Sequence, residues 1–128
     1  MKIWVSQGSE HSMKLVMIGT FKNPSDATKM EHTIEELVSH IEHQVDVGAI
    51  KLGEYLQHFP DGTREVLAKH DLNTIGAYEL EQFAYDVSHE TTGSRITLRT
   101  DEADMSAFLK VLITKGARVE VYSAHDHS

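Results

Sequence analysis

A mixed α+β fold, an alpha-beta sandwich, is predicted by three features of the chain. Residues 15–21 form a near-continuous apolar run, two longer stretches repeat apolar residues at spacings of three and four, and shorter stretches alternate around Gly93 and before the C-terminus. Spacings of three and four line one face of a helix, and alternation lines one face of a strand. Their order is β-α-β-β-α-β, the ferredoxin-like split βαβ core, an antiparallel sheet with both long helices on one side. To this core the sequence adds an extra N-terminal strand and an inserted, mostly helical segment at about 47–81. One α+β domain over residues 1–123 is expected, followed by a flexible polar tail at 124–128. A chain of 128 residues is long enough to bury a core without disulfide staples.

At the N-terminus, Ile3 and Val5 alternate with Trp4, which reads as a strand. Gly8-Ser9-Glu10-His11-Ser12 supplies turn residues, so a hairpin is the simplest link to the apolar run. That run, residues 15–21, has the composition of an interior strand flanked on both edges. Asn23-Pro24-Ser25-Asp26 offers a helix N-cap, a proline suited to the first turn, and an acid at the positive helix end. Met30, Ile34, Leu37, Val38, Ile41 and Val45 then make one apolar stripe on a helix of about six turns.

Between residues 46 and 82, Leu52, Tyr55, Leu56 and Phe59 have helical spacing. A Pro60-Asp61-Gly62-Thr63 turn and the helix formers up to Lys69 follow, so two short helices are expected. A hairpin about the Pro-Asp-Gly turn is the alternative. Phe83, Tyr85 and Val87 alternate, Thr91-Thr92-Gly93-Ser94 is turn chemistry, and Ile96 and Leu98 resume the alternation, which predicts a hairpin. Asp101, Glu102 and Asp104 crowd the start of a second long helix, where the dipole favours acids. Met105, Phe108, Leu109, Leu112 and Ile113 are its expected stripe, Gly116 its end, and residues 117–123 the last strand.

Composition excludes several function classes. With Asp+Glu 20 against Lys+Arg 12 and a net charge of -8, the chain lacks the clustered cations that a nucleic-acid backbone requires. It has no Cys and so no disulfide, which fits a reducing compartment. No apolar stretch approaches the ~20 residues of a membrane span, and the N-terminal apolar run is too short for a signal segment. These observations lead us to expect a complete cytoplasmic protein.

Nine His residues are the one compositional anomaly. His32, Glu36, His40 and His43 fall along one side of the long helix at offsets of four, four and three, so neighbours could share a metal. The pattern differs from His-Glu-x-x-His and lies on the polar face that a surface helix shows to water, so no metal is assigned. In the tail, His125-Asp126-His127 is a poor scaffold for a site. Glu10 and His11 could form an acid/base couple, with Ser9 and Ser12 beside them. There is no Gly-x-Ser-x-Gly elbow, Gly-x-Gly-x-x-Gly or Walker pattern, so no catalytic residues and no cofactor are assigned. Trp4, Tyr78, Tyr85 and Tyr122 are amphipathic aromatics to be sought on the open face of the sheet.

The reading these features support is a small acidic, non-catalytic protein-binding module of inhibitor, immunity or antitoxin type. It would occupy the surface of a basic protein partner through Glu10, His11, Asp61, Glu65 and Asp71, because irregular insertions commonly carry recognition. The alternative is a small-molecule or metal-binding domain, an enzyme included, with a pocket between helices and sheet or a His-containing site. A homodimer pairing through the sheet is compatible with either.

Overall fold

The computed structural model describes residues 14–54, 56, 58–85, 87–101 and 105–123. The strand expected at 2–7, the loop with Glu10 and His11, and the tail at 124–128 lie outside the described residues. Strand β1 (Lys14–Thr20) leads into helix α1 (Pro24–Asp46); two short helices follow, α2 (Thr63–Lys69) and α3 (Ala77–Leu80). A 3-10 turn (Glu81–Ala84) then precedes β2 (Ser88–Thr92), β3 (Arg95–Asp101), α4 (Met105–Thr114) and β4 (Arg118–Ser123). The four strands form one antiparallel sheet in the order β2-β3-β1-β4.

β1 is interior in every direction. β3 pairs with one edge and β4 with the other, Met17 standing opposite both Leu98 and Val121. These long-range pairings occupy both edges of β1. On one face of the sheet, Leu15, Met17, Ile96, Leu98, Val119 and Val121 join the helices in a single apolar cluster. Val16 and Ile18, at 0% and 8% exposure, point to the opposite face. There they lie in register between Arg99 and Thr97 on β3 and Tyr122 and Glu120 on β4. Burial on both faces explains why the run is apolar without alternation.

α1 begins at the expected place, with Asn23 as N-cap and Pro24 in the first turn. The Asn23 amide does not cap a backbone N–H; it reaches the Asp26 carboxylate instead, at 3.4 Å. Ala27, Met30, Ile34, Leu37 and Ile41 are buried, and Val38 and Val45 flank this stripe half-buried. In α4 the buried residues are Ala107, Phe108, Val111 and Leu112. Ile113, expected on the stripe, is 53% exposed because Val111 occupies that position of the helical phase. Gly19 permits close packing here, since a Cβ added to it would lie 3.0 Å from a Leu112 methyl.

Two further expectations are corrected. Phe83 begins no strand: Glu81–Ala84 is a 3-10 turn, and the hairpin runs through Thr91 and Thr92 to a two-residue Gly93-Ser94 connection. Gly93 has φ 59, which suits the first central position of a hairpin turn. Tertiary contacts explain the difference. Phe83 packs edge-on against Phe108 with centroids 5.1 Å apart, and Gln82 Oε1 accepts the Ala107 N–H at 2.8 Å and the Ser106 hydroxyl at 3.1 Å. The side chain from the turn thus caps the first turn of α4. The helix expected over Leu52, Leu56 and Phe59 is likewise absent among the described residues, where Gly53 sits at φ 81. The segment at 47–81 is therefore largely irregular, with α2 and α3 as its helices.

Truncating Leu37, which is 1% exposed, is expected to destabilise the protein by about 2–5 kcal/mol. Urea denaturation of Leu37→Ala tests this, and a loss below about 1 kcal/mol would contradict the packing described.

Candidate partner-binding surface

The irregular segment is fastened to the core at its ends and along α2. Where α1 stops, Gly48 takes φ 81, its N–H bonds to Val45 O at 3.1 Å, and the Ala49 N–H bonds to Gln44 O at 2.9 Å. This is a Schellman ending, and α4 repeats it at Gly116 and Ala117 with bonds to Ile113 O and Leu112 O, both 3.0 Å. α2 ends in the same way, with Asp71 N–H to Ala68 O at 3.1 Å and Leu72 N–H to Leu67 O at 2.9 Å. There the left-handed residue is Asp71, φ 59, rather than glycine.

α2 lies against α1 through polar contacts that account for part of the His-rich stripe. Glu36 accepts from Lys69 Nζ at 2.9 Å and from His70 Nε2 at 2.6 Å. The His40 ring hydrogen-bonds with the Thr63 hydroxyl at 2.8 Å, and Thr63 is buried. His32 and His43 remain exposed. Glu36 and His40 are therefore occupied in docking α2. Among the described residues, no group of three or more His, Asp or Glu is arranged to hold a metal. The hydrogen bond from Lys69, then that from His70, holds the Glu36 carboxyl below its ordinary value of 4.5.

α3 is held from the other side. Glu79 accepts the Gly76 N–H at 3.1 Å and pairs with Lys110, which also donates to Thr74 O at 2.8 Å. Burial raises the Glu79 pKa, but the bonds from Lys110, Gly76 and Ser106 together outweigh it and leave the carboxyl lowered. Glu81 accepts the Gly53 N–H at 2.8 Å and so ties the loop to the 3-10 turn.

Between these anchors lies an apolar groove of about 290 Å3, walled by Ile50, Leu56, Ala77 and Tyr78, with Glu54 and Glu81 on its border. Ile50 is 4% exposed and anchors the floor, whereas Tyr78 is 75% exposed. Val47 and Leu52, on the same segment, are 61% and 43% exposed. With Ile113 they are the large apolar side chains most open to water among the described residues. Acids outnumber Lys and Arg two to one over residues 47–81.

Of the residues expected to contact a partner, Asp61, Glu65 and Asp71 are all exposed. Asp61 and Glu65 border one shallow hollow with Phe59 and Arg64, whose guanidinium sits 5.5 Å from the Phe59 ring centroid. Asp71 lies at the far end of α2, about 10 Å further along at 1.5 Å per residue, and its place in the helix ending gives it a backbone role. Glu10 and His11 lie outside the described residues. Sequence reasoning singled out Tyr78 but sought it on the open sheet face, and read Leu52 as part of a helix; the groove, which joins residues 50–56 to residues 77–81, has no local signature. The three tyrosines sought on the open sheet face do not gather there, and Trp4 lies outside the described residues. Tyr122 lies there, Tyr85 borders a cleft beside α1, and Tyr78 is on α3.

Two measurements follow from this geometry. Asp71→Gly is expected to raise stability by up to about 1 kcal/mol, because glycine has no Cβ penalty at positive φ, and Asp71→Val to lower it by at least as much. Denaturation midpoints of the two variants decide the sign. A carboxyl with a lowered folded pKa adds stability that is fully present above the unfolded value of 4.5 and is lost as pH falls through the folded value. Glu36→Gln should therefore cost under about 1 kcal/mol at neutral pH, as a partly exposed pair screened by water, and nothing once Glu36 is protonated. Urea titrations of both proteins between pH 7 and pH 3 check that convergence.

No curated protein and no solved structure matches the chain. A family of unknown function, DUF6375, matches it over residues 1–128, and the chain belongs to that family.

Proposed function

We propose that the protein is a non-catalytic binding module that occupies a basic protein partner through the segment at 47–81. In mode of action it is of inhibitor, immunity or antitoxin type. The observation that carries the reading is that three of the most exposed large apolar side chains among the described residues, Val47, Leu52 and Tyr78, belong to this one segment, and that Tyr78 walls a groove bordered by Glu54 and Glu81. An exposed aromatic beside a preformed groove has the makings of an interface anchor. The acids around it select a cationic surface and speed its approach. Asp61 and Glu65 extend the acidic border, while Asp71 serves mainly to end α2.

The scaffold on which the segment is mounted reads as a ferredoxin-like split βαβ core. Support comes from the strand order, the antiparallel pairings, and α1 and α4 as crossovers on one face. No helix of the described residues is long and apolar enough to cross a membrane. We place the protein's work in the cytoplasm, in keeping with its lack of Cys.

The test is to purify a host protein captured by the immobilised chain and titrate it against wild type, Tyr78→Ala and Glu54→Lys. Both variants should bind at least tenfold more weakly, and wild-type affinity should fall between low and moderate salt. A partner indifferent to both substitutions and to salt would end the proposal.

A further inference from the structure

Five cations of this acidic chain are gathered at one end of the molecule, where β1 stops. Three connections meet there: residues 21–23 lead into α1, Gly93-Ser94 joins β2 to β3, and residues 115–117 join α4 to β4. Arg95 and Arg118 flank Thr20 in the last row of the sheet, on the face turned from the helices. Two strand spacings separate them, about 10 Å between Cα atoms. Lys22 stands in the first connection, and Lys29 and Lys115 border a hollow of about 250 Å3 that Phe21 and Met30 also line. The five lie far apart in sequence, and only the fold brings them together.

Their charge is not cancelled nearby. Residues 20–30, 92–95 and 114–118 hold these five cations and one acid, Asp26, which the Asn23 amide engages. None of the five forms an ion pair with a described residue; four are exposed and Lys115 is partly so. The next acids are Glu31, past the second turn of α1, and Glu90 and Glu120, two residues along β2 and β4 from the last row. Glu120 accepts from the Tyr122 hydroxyl, on the side away from Arg118. The acids outside the described residues are Glu10, Asp86, Glu102, Asp104 and Asp126. Each is within four positions of a described residue at the opposite end of the sheet, where β1 begins. A fully extended chain of about 14 Å from there stops short of the Arg95 row, about 17–20 Å away. The positive end of α1 and the negative end of α4 both lie here and oppose each other, which leaves the side chains to set the sign.

An anionic partner fits this surface, and its extent narrows the choice. A long polyanion would run off the patch onto a strongly acidic remainder, since the whole chain has a net charge of -8. Single-stranded nucleic acid also requires exposed aromatic rings on which bases stack. The one aromatic among these residues, Phe21, is 7% exposed. A short run of carboxylates meets neither difficulty. Guanidinium forks take carboxylates through paired hydrogen bonds, and lysines add point charges around them.

We infer that this end of the protein binds a short acidic segment of a second protein, with carboxylates on Arg95 and Arg118 and further acids on Lys22, Lys29 and Lys115. The site stands apart from the groove at Tyr78. A chain occupied at both would bridge an acidic and a basic protein; the bridge rests on the reading of the groove, whereas the acidic-segment site does not.

Fluorescence anisotropy of labelled hexaglutamate with the full chain tests this, with hexaglutamine and a single-stranded hexanucleotide as controls. Hexaglutamate should bind saturably at low salt and several-fold more weakly at moderate salt. Hexaglutamine should not bind, and the hexanucleotide should bind more weakly than hexaglutamate. The double variant Arg95→Gln, Arg118→Gln should lose about tenfold, and Lys115→Gln about two- to threefold, the scale of exposed charge pairs. Lys51→Gln, in the segment at 47–81, should change nothing and so separates the patch from general attraction to cations. Failure of hexaglutamate to saturate at millimolar concentration overturns the assignment. So does an equal loss in Lys51→Gln, or a hexanucleotide bound as tightly as hexaglutamate. A salt-labile dimer of the free chain that the double variant abolishes would make a second copy the occupant, and would also overturn it. None of these outcomes bears on Tyr78 or its groove.

Discussion

The structure depends on one strand that, between its two ends, is paired along both edges and buried on both faces. β1 gives its backbone groups to β3 on one side and β4 on the other, and Val16 and Met17, which point in opposite directions, are both fully buried. An unpaired backbone group in that position would cost about as much as a lost hydrogen bond, so the strand is held only if both neighbours are present. Its side chains are constrained as well. The face toward the helices narrows at Gly19, where the Leu112 methyl leaves no room for a larger residue without rearrangement. α4 can lie this near β1 because a glycine stands at that point.

The segment at 47–81 obeys different physics. It is pinned by Ile50, Leu67, Leu72, Ile75 and Leu80, all buried in the core cluster. Discrete polar contacts add to these pins: Glu36 to Lys69 and His70, His40 to Thr63, Glu79 to Lys110 and Glu81 to Gly53. Between them Leu52 and Tyr78 face outward. A rigid sheet with an attachment pinned in this way is a reasonable platform for recognition, since the attachment can vary without disturbing β1.

The parts of this architecture set by local periodicity were legible in the sequence. Met30, Ile34, Leu37 and Ile41 repeat every turn of α1 regardless of what they pack against, and residues 15–18 are apolar without alternation because both faces are covered. The errors arose where a distant partner decided the outcome. Phe83 and Tyr85 alternate as a strand would, yet Phe83 is pinned by Phe108 and Gln82 is spent on the Ala107 N–H, 25 residues away. Glu36 and His40 resembled spare polar groups because their partners lie 23 to 34 residues on. Of the candidate site, the proximity of Asp61 and Glu65 at one hollow is visible only in the structure. Nothing local in the sequence marks an acid at φ 59, so the backbone role of Asp71 appears only in the Schellman bonds around it. The groove at Tyr78 joins positions from both ends of the segment, and no single window of sequence contains it.

The register of β1 also sets an order in time. Leu15 is opposite Ser123, and its other neighbour, Thr100, is 85 positions along the chain. Contacts between such distant residues require closing long loops before any reward, which slows folding relative to helical bundles of similar size. On the ribosome, at about 5–20 residues per second, the most apolar strand emerges several seconds before β4 exists. Throughout that interval it has α1 beside it but no sheet, and its unpaired edges and bare apolar faces are open to chance pairing. The protein thus spends the first part of its life with its future centre as its most adhesive surface.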